Sequence, residues 1–242
     1  PPVKYWAHNG FINIDGQRMG KSLGNFRTVR DILKQYPGKV VRYFLISNHY
    51  RKPINFSDEE LRMCTKALGR LEDAVSNALF AVGIGAGVGA GRALGSESTM
   101  WDEVRRLAAS GEAGRADSGS AAERLDAAIV AARAQFEESM DDDFNTAGAI
   151  AALHELATAI NTFVNQDMQG QGQAAEAERG AAARAVLTMM ELGGVVGIIE
   201  PGIVETQHAG GAQADQAGAG GESGIGADHL IQLLLDVRAE VR

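Results

Sequence analysis

The stretch INFSDEELRMCTKALGRLEDAVSNALF, residues 54–80, decides the fold because it predicts a long amphipathic helix. Ser57 and Glu60 have the spacing of a capping box, in which a hydroxyl and a carboxylate satisfy free amides at a helix start. Apolar residues follow this cap at helical spacing: Leu61, Cys64, Leu68, Leu71, Val75 and Leu79. One face of this helix is therefore apolar and needs partners that cover it.

Further amphipathic segments downstream supply such partners. They lie at residues 121–140, 145–166 and 173–198, and a last helix begins near Asp228. Glycine-rich spacers separate the helices, and we interpret them as linkers because a glycine inside a helix costs about 1 kcal/mol against alanine. These spacers lie at residues 81–98, 109–120 and 205–226. Residues 57–204 thus predict an antiparallel helical bundle with loose connections.

The residues before the long helix predict a small α/β region. The stretch FINID, residues 11–15, alternates apolar and polar side chains and runs into a glycine, which predicts a strand and a turn. Thr28 is a helix cap for residues 29–36. Residues 39–48 have the length of a buried helix or strand, and their neighbours favour a helix. The predicted fold class is therefore mainly α, with a small α/β part first.

Charge is distributed unevenly along the chain. The net charge is −8, yet residues 1–73 hold thirteen Lys and Arg against seven Asp and Glu. A basic first part suits a polyanion such as ATP or tRNA, whereas the acidic remainder argues against broad, non-specific binding of nucleic acid. Such an asymmetry is also common on helical surfaces that are charged only for solubility.

The cysteine content and the apolar runs limit the class of protein. The single cysteine, Cys64, excludes an internal disulfide framework and fits a reducing cytoplasm. No apolar run approaches the length that spans a bilayer, and no signal peptide opens the chain, so we expect no membrane partner. Because the chain also begins without methionine, we expect its first residue to be a cut within a longer protein.

Residues 10–26, GFINIDGQRMGKSLGNF, contain the first predicted strand and, after it, a loop that is rich in cations and glycines. The segment RMGKS resembles the KMSKS signature of class I aminoacyl-tRNA synthetases, and SLGNF continues the resemblance. The flanking stretches are similar to cysteinyl-tRNA synthetases. They are YWAHNGFINIDG at 5–16, VRYFLISNHYRKPINFS at 41–57 and FEESMDDDFNTAGAI at 136–150. Several separated motifs in the right order make this resemblance specific, and it covers most of residues 3–80 and 123–166.

The resemblance implies an organisation and an activity. Residues 1–56 resemble the end of a Rossmann-type catalytic domain with its connecting fold, and residues 57–204 a DALR-like, tRNA-binding bundle. Residues 205–242 resemble a linker and the start of a C-terminal tail. The implied reaction uses ATP with Mg²⁺ to convert cysteine to cysteinyl-adenylate, followed by transfer to tRNA(Cys) by a monomeric, cytoplasmic enzyme.

The resemblance also implies roles for particular residues. Lys21 matches the second lysine of the signature and is expected to contact ATP, and the Ser22 hydroxyl is expected to hold the loop during catalysis. Arg18 stands where the signature has its first lysine, and Gly20 replaces a serine, so we expect slower loop closure. The alternative interpretation is that this segment is an exposed polar loop without a role in ATP binding. His8 is a further candidate for ATP, although a structural histidine is an equal interpretation.

Two other clusters have weaker functional interpretations. Arg51 and Lys52 are candidate tRNA contacts, or else a solvated basic turn. The three adjacent carboxylates of MDDDFNT, residues 140–146, suggest a metal site, but capping of the helix that begins near Asn145 is the better interpretation. The scattered histidines give no zinc spacing, so we expect no metal ligands in this chain, although the resemblance implies Zn²⁺ in the full-length enzyme.

Two sequence elements that the activity requires are missing, and their absence leaves alternative functions open. The resemblance implies an upstream HIGH-type ATP motif and zinc ligands that this sequence lacks, so we expect these 242 residues alone to neither activate cysteine nor charge tRNA. A cysteine ligase of mycothiol synthesis shares the activation chemistry without using tRNA. A non-catalytic tRNA-binding fragment and a decayed gene fragment are the remaining alternatives.

Overall fold

A computed structural model describes residues 3–14, 16–84, 97–110, 119–168 and 176–199. This part of the chain is mostly helical with a small sheet near its beginning, which confirms the predicted fold class. Backbone contacts group the described residues into one compact unit. Most of each predicted glycine-rich spacer and the helix predicted near Asp228 lie outside the described residues. The predicted domain boundary after residue 56 stays a prediction.

Three short strands form the sheet: β1 is Ile12–Ile14, β2 is Gln17–Arg18 and β3 is Ile54–Phe56. Their order is β2-β1-β3, with β1 antiparallel to β2 and parallel to β3. The predicted strand at FINID is confirmed. Strand β3 was not predicted, because its three residues belong to the stretch that we assigned to the long helix. They pair with β1 instead, and the helix begins behind them.

Three helices follow in and behind the crossover from β1 to β3: α1 is Val29–Leu33, α2 is Gly38–Ile46 and α3 is Asp58–Ala81. The hydroxyl of Thr28 accepts the Asp31 amide, as the sequence predicts for the start of α1. These findings also confirm the helix favoured for residues 39–48 and the long helix itself.

The bundle continues with α4, Glu97–Ser110, α5, Ala121–Asp141, α6, Thr146–Phe163, and α7, Glu176–Val195. The last turn of α6 runs on as a π-helix to Met168. Helices α5 to α7 match three predicted segments. Helix α4 was not predicted, because its N-terminal end falls at the glycine-rich spacer and its buried face is short, with Val104, Leu107 and Ala108.

One cluster of buried side chains forms the core and runs through helices α3 to α7. All six residues of the predicted apolar face of α3 are buried. Helix α6 adds Leu153, Leu156 and Ile160, whereas α7 presents mainly alanines, from Ala181 to Ala185. Small side chains let helix backbones approach closely, so this core depends on close packing more than on large aromatic side chains.

One arginine joins three helices of the bundle. The Arg184 guanidinium on α7 donates to both Asp126 carboxylate oxygens on α5, at 2.9 and 2.7 Å. It also donates to the Ala108 carbonyl oxygen near the end of α4, at 3.1 Å. Such a bidentate pair fixes direction as well as distance, so it sets how α4, α5 and α7 meet.

Helix α6 with its extension, Thr146–Gln166, is long and apolar enough to cross a membrane, with a mean hydropathy of 1.2. The expectation that no apolar run approaches this length was therefore wrong. Close to half of the segment, 44%, is buried in the protein, and it packs against α3, α5 and α7. A buried core helix passes the same test of length and composition, so the finding is weak support for a membrane span.

The contact between α2 and α6 is polar. The Tyr43 hydroxyl and His154 Nε2 lie 2.8 Å apart, and their rings meet edge to face. Burial raises the pKa of Tyr43 to about 12, so its hydroxyl stays protonated at neutral pH. Burial and then the charge of Arg70 lower the pKa of His154 below its usual 6.5.

The residues before β1 approach the residues before β3 closely. The Gly10 amide donates to the Tyr50 carbonyl oxygen at 2.7 Å. A Cβ at Gly10 would overlap the Lys52 carbonyl and lie 2.8 Å from the Pro53 nitrogen. Only glycine fits here without movement of one of the two backbones.

The His154 environment predicts a pH dependence of stability. A lowered pKa in the folded state means that the unfolded chain takes up the proton first, so stability is full above pH 6.5 and falls below it. We expect the melting temperature to drop from pH 7.5 to pH 5.5, and His154→Gln to flatten that drop. Exposed His8→Gln is the control and should keep the wild-type slope; an equal slope in His154→Gln would contradict the prediction.

The Gly10 contact predicts opposite effects of two Gly→Ala substitutions. Gly10→Ala should lower the free energy of unfolding by about 1–3 kcal/mol, because backbone must move to admit the methyl group. Gly69→Ala, inside α3 with no atom near its added Cβ, should raise it by about 0.5–1 kcal/mol. Urea unfolding followed by circular dichroism measures both, and a neutral Gly10→Ala would refute the close approach.

Candidate active site

The basic loop, residues 16–25, leaves the sheet between β1 and the first helix. It turns back through β2 and then forms a 3₁₀ turn at Lys21–Leu23. The Gly16 amide donates to Asn55 Oδ1 at 2.8 Å, which ties the start of the loop to β3. The loop is therefore attached to the sheet at its first residue, while its 3₁₀ turn lies beyond the strands.

Asn25 closes the basic loop from its other end. Its Oδ1 accepts the Gly20 amide at 2.9 Å, and its Nδ2 donates to the Arg18 carbonyl oxygen at 3.3 Å. Met19, between these two residues, is half-buried and packs against the core. These contacts of Asn25 were not predicted, although an amide side chain next to a glycine-rich turn is a common signal for such backbone contacts.

The predicted ATP contacts lie in or near this loop. Lys21 begins the 3₁₀ turn, and Ser22 follows it with an exposed side chain. The Arg18 guanidinium is exposed and lies 4.3 Å from the centre of the Phe11 ring, within the range of a cation–π contact. His8 is exposed on the segment that leads into β1. Their predicted roles in ATP binding stay predictions.

A cavity of about 300 Å³ lies beside α1, but its charges do not suit a triphosphate. Arg27 pairs there with Asp58 at 3.2 Å, and Asp31 lines the same space. Two carboxylates around one arginine repel an anion. The exposed face of the basic loop, with Arg18 and Ser22, is the better candidate for contact with phosphates.

Another charged cluster joins the turn before β3 to the turn between α5 and α6. The Asp143 carboxylate accepts from Arg51 Nε at 2.6 Å, from Arg51 Nη2 at 3.0 Å and from the Tyr50 hydroxyl at 2.8 Å. His49 Nε2 lies 3.7 Å from the same carboxylate. The predicted tRNA contact Arg51 thus has an intramolecular partner, whereas neighbouring Lys52 is exposed. Contact of either residue with tRNA stays a prediction.

Hydrogen bonds dominate the electrostatics of this cluster. The Arg51 guanidinium, followed by the Tyr50 hydroxyl, lowers the pKa of Asp143 below its usual range. The same carboxylate raises the pKa of the Tyr50 hydroxyl. Asp143 is therefore ionised at neutral pH and paired with a permanent cation.

The neighbours of Asp143 behave as the capping interpretation predicts. The Asn145 side chain accepts the Gly148 amide at 3.1 Å and caps α6. Among the described residues, no three His, Cys, Asp or Glu side chains are grouped closely enough to hold a metal ion. The pairing of Asp143 with Arg51 was not predicted, because 92 residues separate them along the chain.

Two models of known protein families match separate parts of the chain. A family model described as the class I (C) tRNA synthetase catalytic domain matches residues 1–66. A second model, described as the DALR domain, matches residues 135–200. The basic loop lies in the first match and Asp143 in the second.

Curated relatives match over two thirds of the chain or more. A cysteine–tRNA ligase of Heliobacterium modesticaldum is 37% identical over 242 residues, which is 100% of this chain and 41% of the relative. The corresponding ligase of Desulfitobacterium hafniense is 38% identical, with 99% of this chain and 40% of the relative covered. That of Bacillus velezensis is 40% identical over 165 residues, 68% of this chain and 29% of the relative.

A solved structure, the LeuRS–tRNA–LeuAMS ternary complex of Agrobacterium radiobacter K84, overlaps this chain with a TM-score of 0.45 and 18% identity. It covers 81% of this chain and 22% of that chain, an overlap too partial to carry an argument. The sequence relatives match closely along their aligned lengths, and the chain spans about two fifths of the first two. Together, the two family matches and these relatives support a fragment of a cysteinyl-tRNA synthetase.

Proposed function

We propose that the protein containing this chain is a cysteine–tRNA ligase, which activates cysteine with ATP and Mg²⁺ and transfers it to tRNA(Cys). The observation that carries this proposal is the exposed basic loop, held at the end of β1 within the match to a class I catalytic domain. The proposed substrate follows from the curated relatives, since each of these three is a cysteine–tRNA ligase.

The chemistry explains why such a loop needs cations. Attack of the cysteine carboxylate on the α-phosphate of ATP expels pyrophosphate, so negative charge grows on the bridging and terminal phosphate oxygens. A preorganised donor at such a charge is typically worth about 3–4 kcal/mol in the transition state. In this proposal Lys21 supplies that donor, Arg18 contacts the triphosphate, and Ser22 holds the closed loop through its hydroxyl. His8 contacts the nucleotide from the entry to β1.

Exposed apolar side chains support a larger catalytic domain around the loop. Tyr5 is 89% exposed, Trp6 77% and Phe11 59%, and all three precede the basic loop or its strand. Such clustered apolar exposure is typical of a surface that another part of the protein covers. We propose that residues beyond these 242 cover it and complete the ATP site, and that the 242 residues alone are inactive.

Zinc does not fit the residues described here. Cys64 is buried on α3, and burial raises the pKa of its thiol to about 11, so it stays protonated at neutral pH. A cysteine binds zinc as a thiolate, and within the part of the chain that the structure describes no three His, Cys, Asp or Glu side chains are grouped closely enough to hold a metal ion. The proposal therefore assigns no step to a metal held by this chain, and zinc in the full-length enzyme would need ligands from elsewhere.

A groove on the bundle suits contact with the tRNA backbone. It has a volume of about 400 Å³, lies between α3 and α6, and is lined by Arg70, His154, Thr158 and Asn161 without a carboxylate. Phosphate groups favour such cationic and hydrogen-bonding surroundings. We propose tRNA contacts here and at Lys52, which lies in the basic first part of the chain.

The ATP role predicts the effect of removing one ammonium group. In the full-length protein, Lys21→Ala should lower kcat for cysteine-dependent exchange between ATP and pyrophosphate by about 100-fold or more. Lys34→Ala is the matched control, since Lys34 lies outside the loop and pairs with Asp31 on an exposed helix. A similar rate in both variants would refute the role of Lys21, whereas full-length wild-type protein without any exchange would overturn the catalytic proposal in favour of tRNA binding alone.

Gly20 departs from the family signature, and we predict that restoring the serine raises the catalytic rate. A Cβ at Gly20 would meet its nearest atoms at 3.8 Å, so a serine fits without displacing them. Gly20→Ser should leave the melting temperature unchanged and raise kcat for the exchange reaction, because a less flexible loop closes more readily. Gly24→Ser is the control: φ at Gly24 is +68°, so a side chain there is strained and should slow the reaction.

A further inference from the structure

We propose that Asp143 is a positioning residue for the basic loop: its carboxylate on the bundle fixes the turn at residues 49–52, and that turn fixes the entry to β1. This inference rests on the proposed function, because it assigns Asp143 a part in ATP activation. Asp143 itself lies in the bundle, in the region that matches the DALR domain.

The carboxylate receives several groups from one short turn. Arg51 donates two parallel N–H groups, at 2.6 and 3.0 Å, and the Tyr50 hydroxyl donates at 2.8 Å. The His49 and Tyr50 rings stack with their centres 5.0 Å apart, which holds the two side chains in one arrangement. A planar guanidinium paired through two bonds fixes orientation as well as distance. Three consecutive side chains of the turn thus converge on one acceptor.

The backbone around Asp143 is arranged to present this acceptor. Asp143 and Phe144 both have φ of +54°, a left-handed conformation that side chains seldom adopt. Surrounding contacts hold it: the Asn145 amide donates to the Ser139 carbonyl oxygen at 3.0 Å, and Asn145 caps α6. Strained conformations of this kind persist where neighbouring structure fixes them, and they cluster at functional positions.

The fixed turn is joined directly to β1. The Tyr50 carbonyl oxygen accepts the Gly10 amide at 2.7 Å, and no side chain fits between the two backbones. One residue on, the Phe11 carbonyl oxygen accepts the Ile54 amide at 2.9 Å. The Phe11 ring in turn lies under the Arg18 guanidinium of the basic loop. A continuous series of contacts therefore leads from the bundle carboxylate to the loop cation.

Misplacement of a catalytic group by about 1 Å can cost about 100-fold in rate. A shift of the turn moves Gly10, and with it β1 and the loop, which lies only a few residues further along. Loss of the Asp143 charge should therefore reduce the rate of ATP activation more than the stability of the bundle. This consequence separates a positioning role from a structural one.

The test compares two neighbouring carboxylates in the full-length protein. Asp143→Asn removes the charge that Arg51 pairs with, whereas Asp142→Asn removes an adjacent, exposed charge. We expect Asp143→Asn to lower kcat for ATP–pyrophosphate exchange by about tenfold or more, with the KM for cysteine and the melting temperature close to wild type. Asp142→Asn should match wild type in all three measurements.

Arg51 variants separate the clamp from a direct tRNA contact. Arg51→Gln should slow the exchange reaction, which needs no tRNA, and the double variant with Asp143→Asn should be no slower than either single one. If Arg51→Gln instead impairs only tRNA charging while Asp143→Asn has no effect, Arg51 is a tRNA contact and the positioning proposal is wrong. A lower melting temperature with unchanged kcat in Asp143→Asn would equally overturn it.

Hydrogen exchange tests the coupling without relying on catalysis. In the full-length protein, Asp143→Asn should make the amides of residues 10–14 exchange several-fold faster, and Asp142→Asn should not. Unchanged exchange in that segment would overturn the positioning proposal. Faster exchange in a full-length protein that lacks ATP–pyrophosphate exchange would confirm the mechanical link while refuting the proposed function.

Discussion

The parallel pairing of β1 with β3 is the constraint on which the rest of the first part depends. Two parallel strands cannot be joined by a tight turn, so the chain between them must cross over, and α1 and α2 form that crossover. The same pairing places the basic loop beside Asn55 and starts α3 immediately behind β3. A short ladder of backbone hydrogen bonds therefore connects the site to the start of the bundle, and the contacts of Asp143 with Tyr50 and Arg51 add a second connection.

The bundle behind the sheet has a core that is rich in small side chains. Helix α7 buries a run of alanines, and Gly193 leaves no room for a Cβ because Ile199 lies 2.7 Å from that position. Close packing of this kind gains dispersion energy only where helices hold a fixed spacing. Polar contacts that set direction, such as Arg184 with Asp126, are consistent with that need for fixed spacing.

Local signals were predictable from the sequence, and contacts across the chain were not. Ser57 accepts the Glu60 amide and Asn145 caps α6 as expected, because a cap depends on residues three positions apart. Strand β3 is set by its partner β1, about forty residues earlier, so no pattern within residues 54–56 reveals it. Asp143 was likewise interpreted together with its sequence neighbours, whereas the contact on which its proposed role depends is with distant Arg51.

In the basic loop, the conformational freedom of Gly20 is opposed by the hydrogen bonds of Asn25. A glycine in place of a larger residue costs about 0.5–1 kcal/mol in lost conformational freedom on ordering. Asn25 makes two hydrogen bonds to the loop backbone, one of them to the Gly20 amide, and a typical net bond contributes about 0.5–1.5 kcal/mol. The two effects are similar in size, so the Asn25 hydrogen bonds offset the conformational cost of the glycine that directly precedes Lys21.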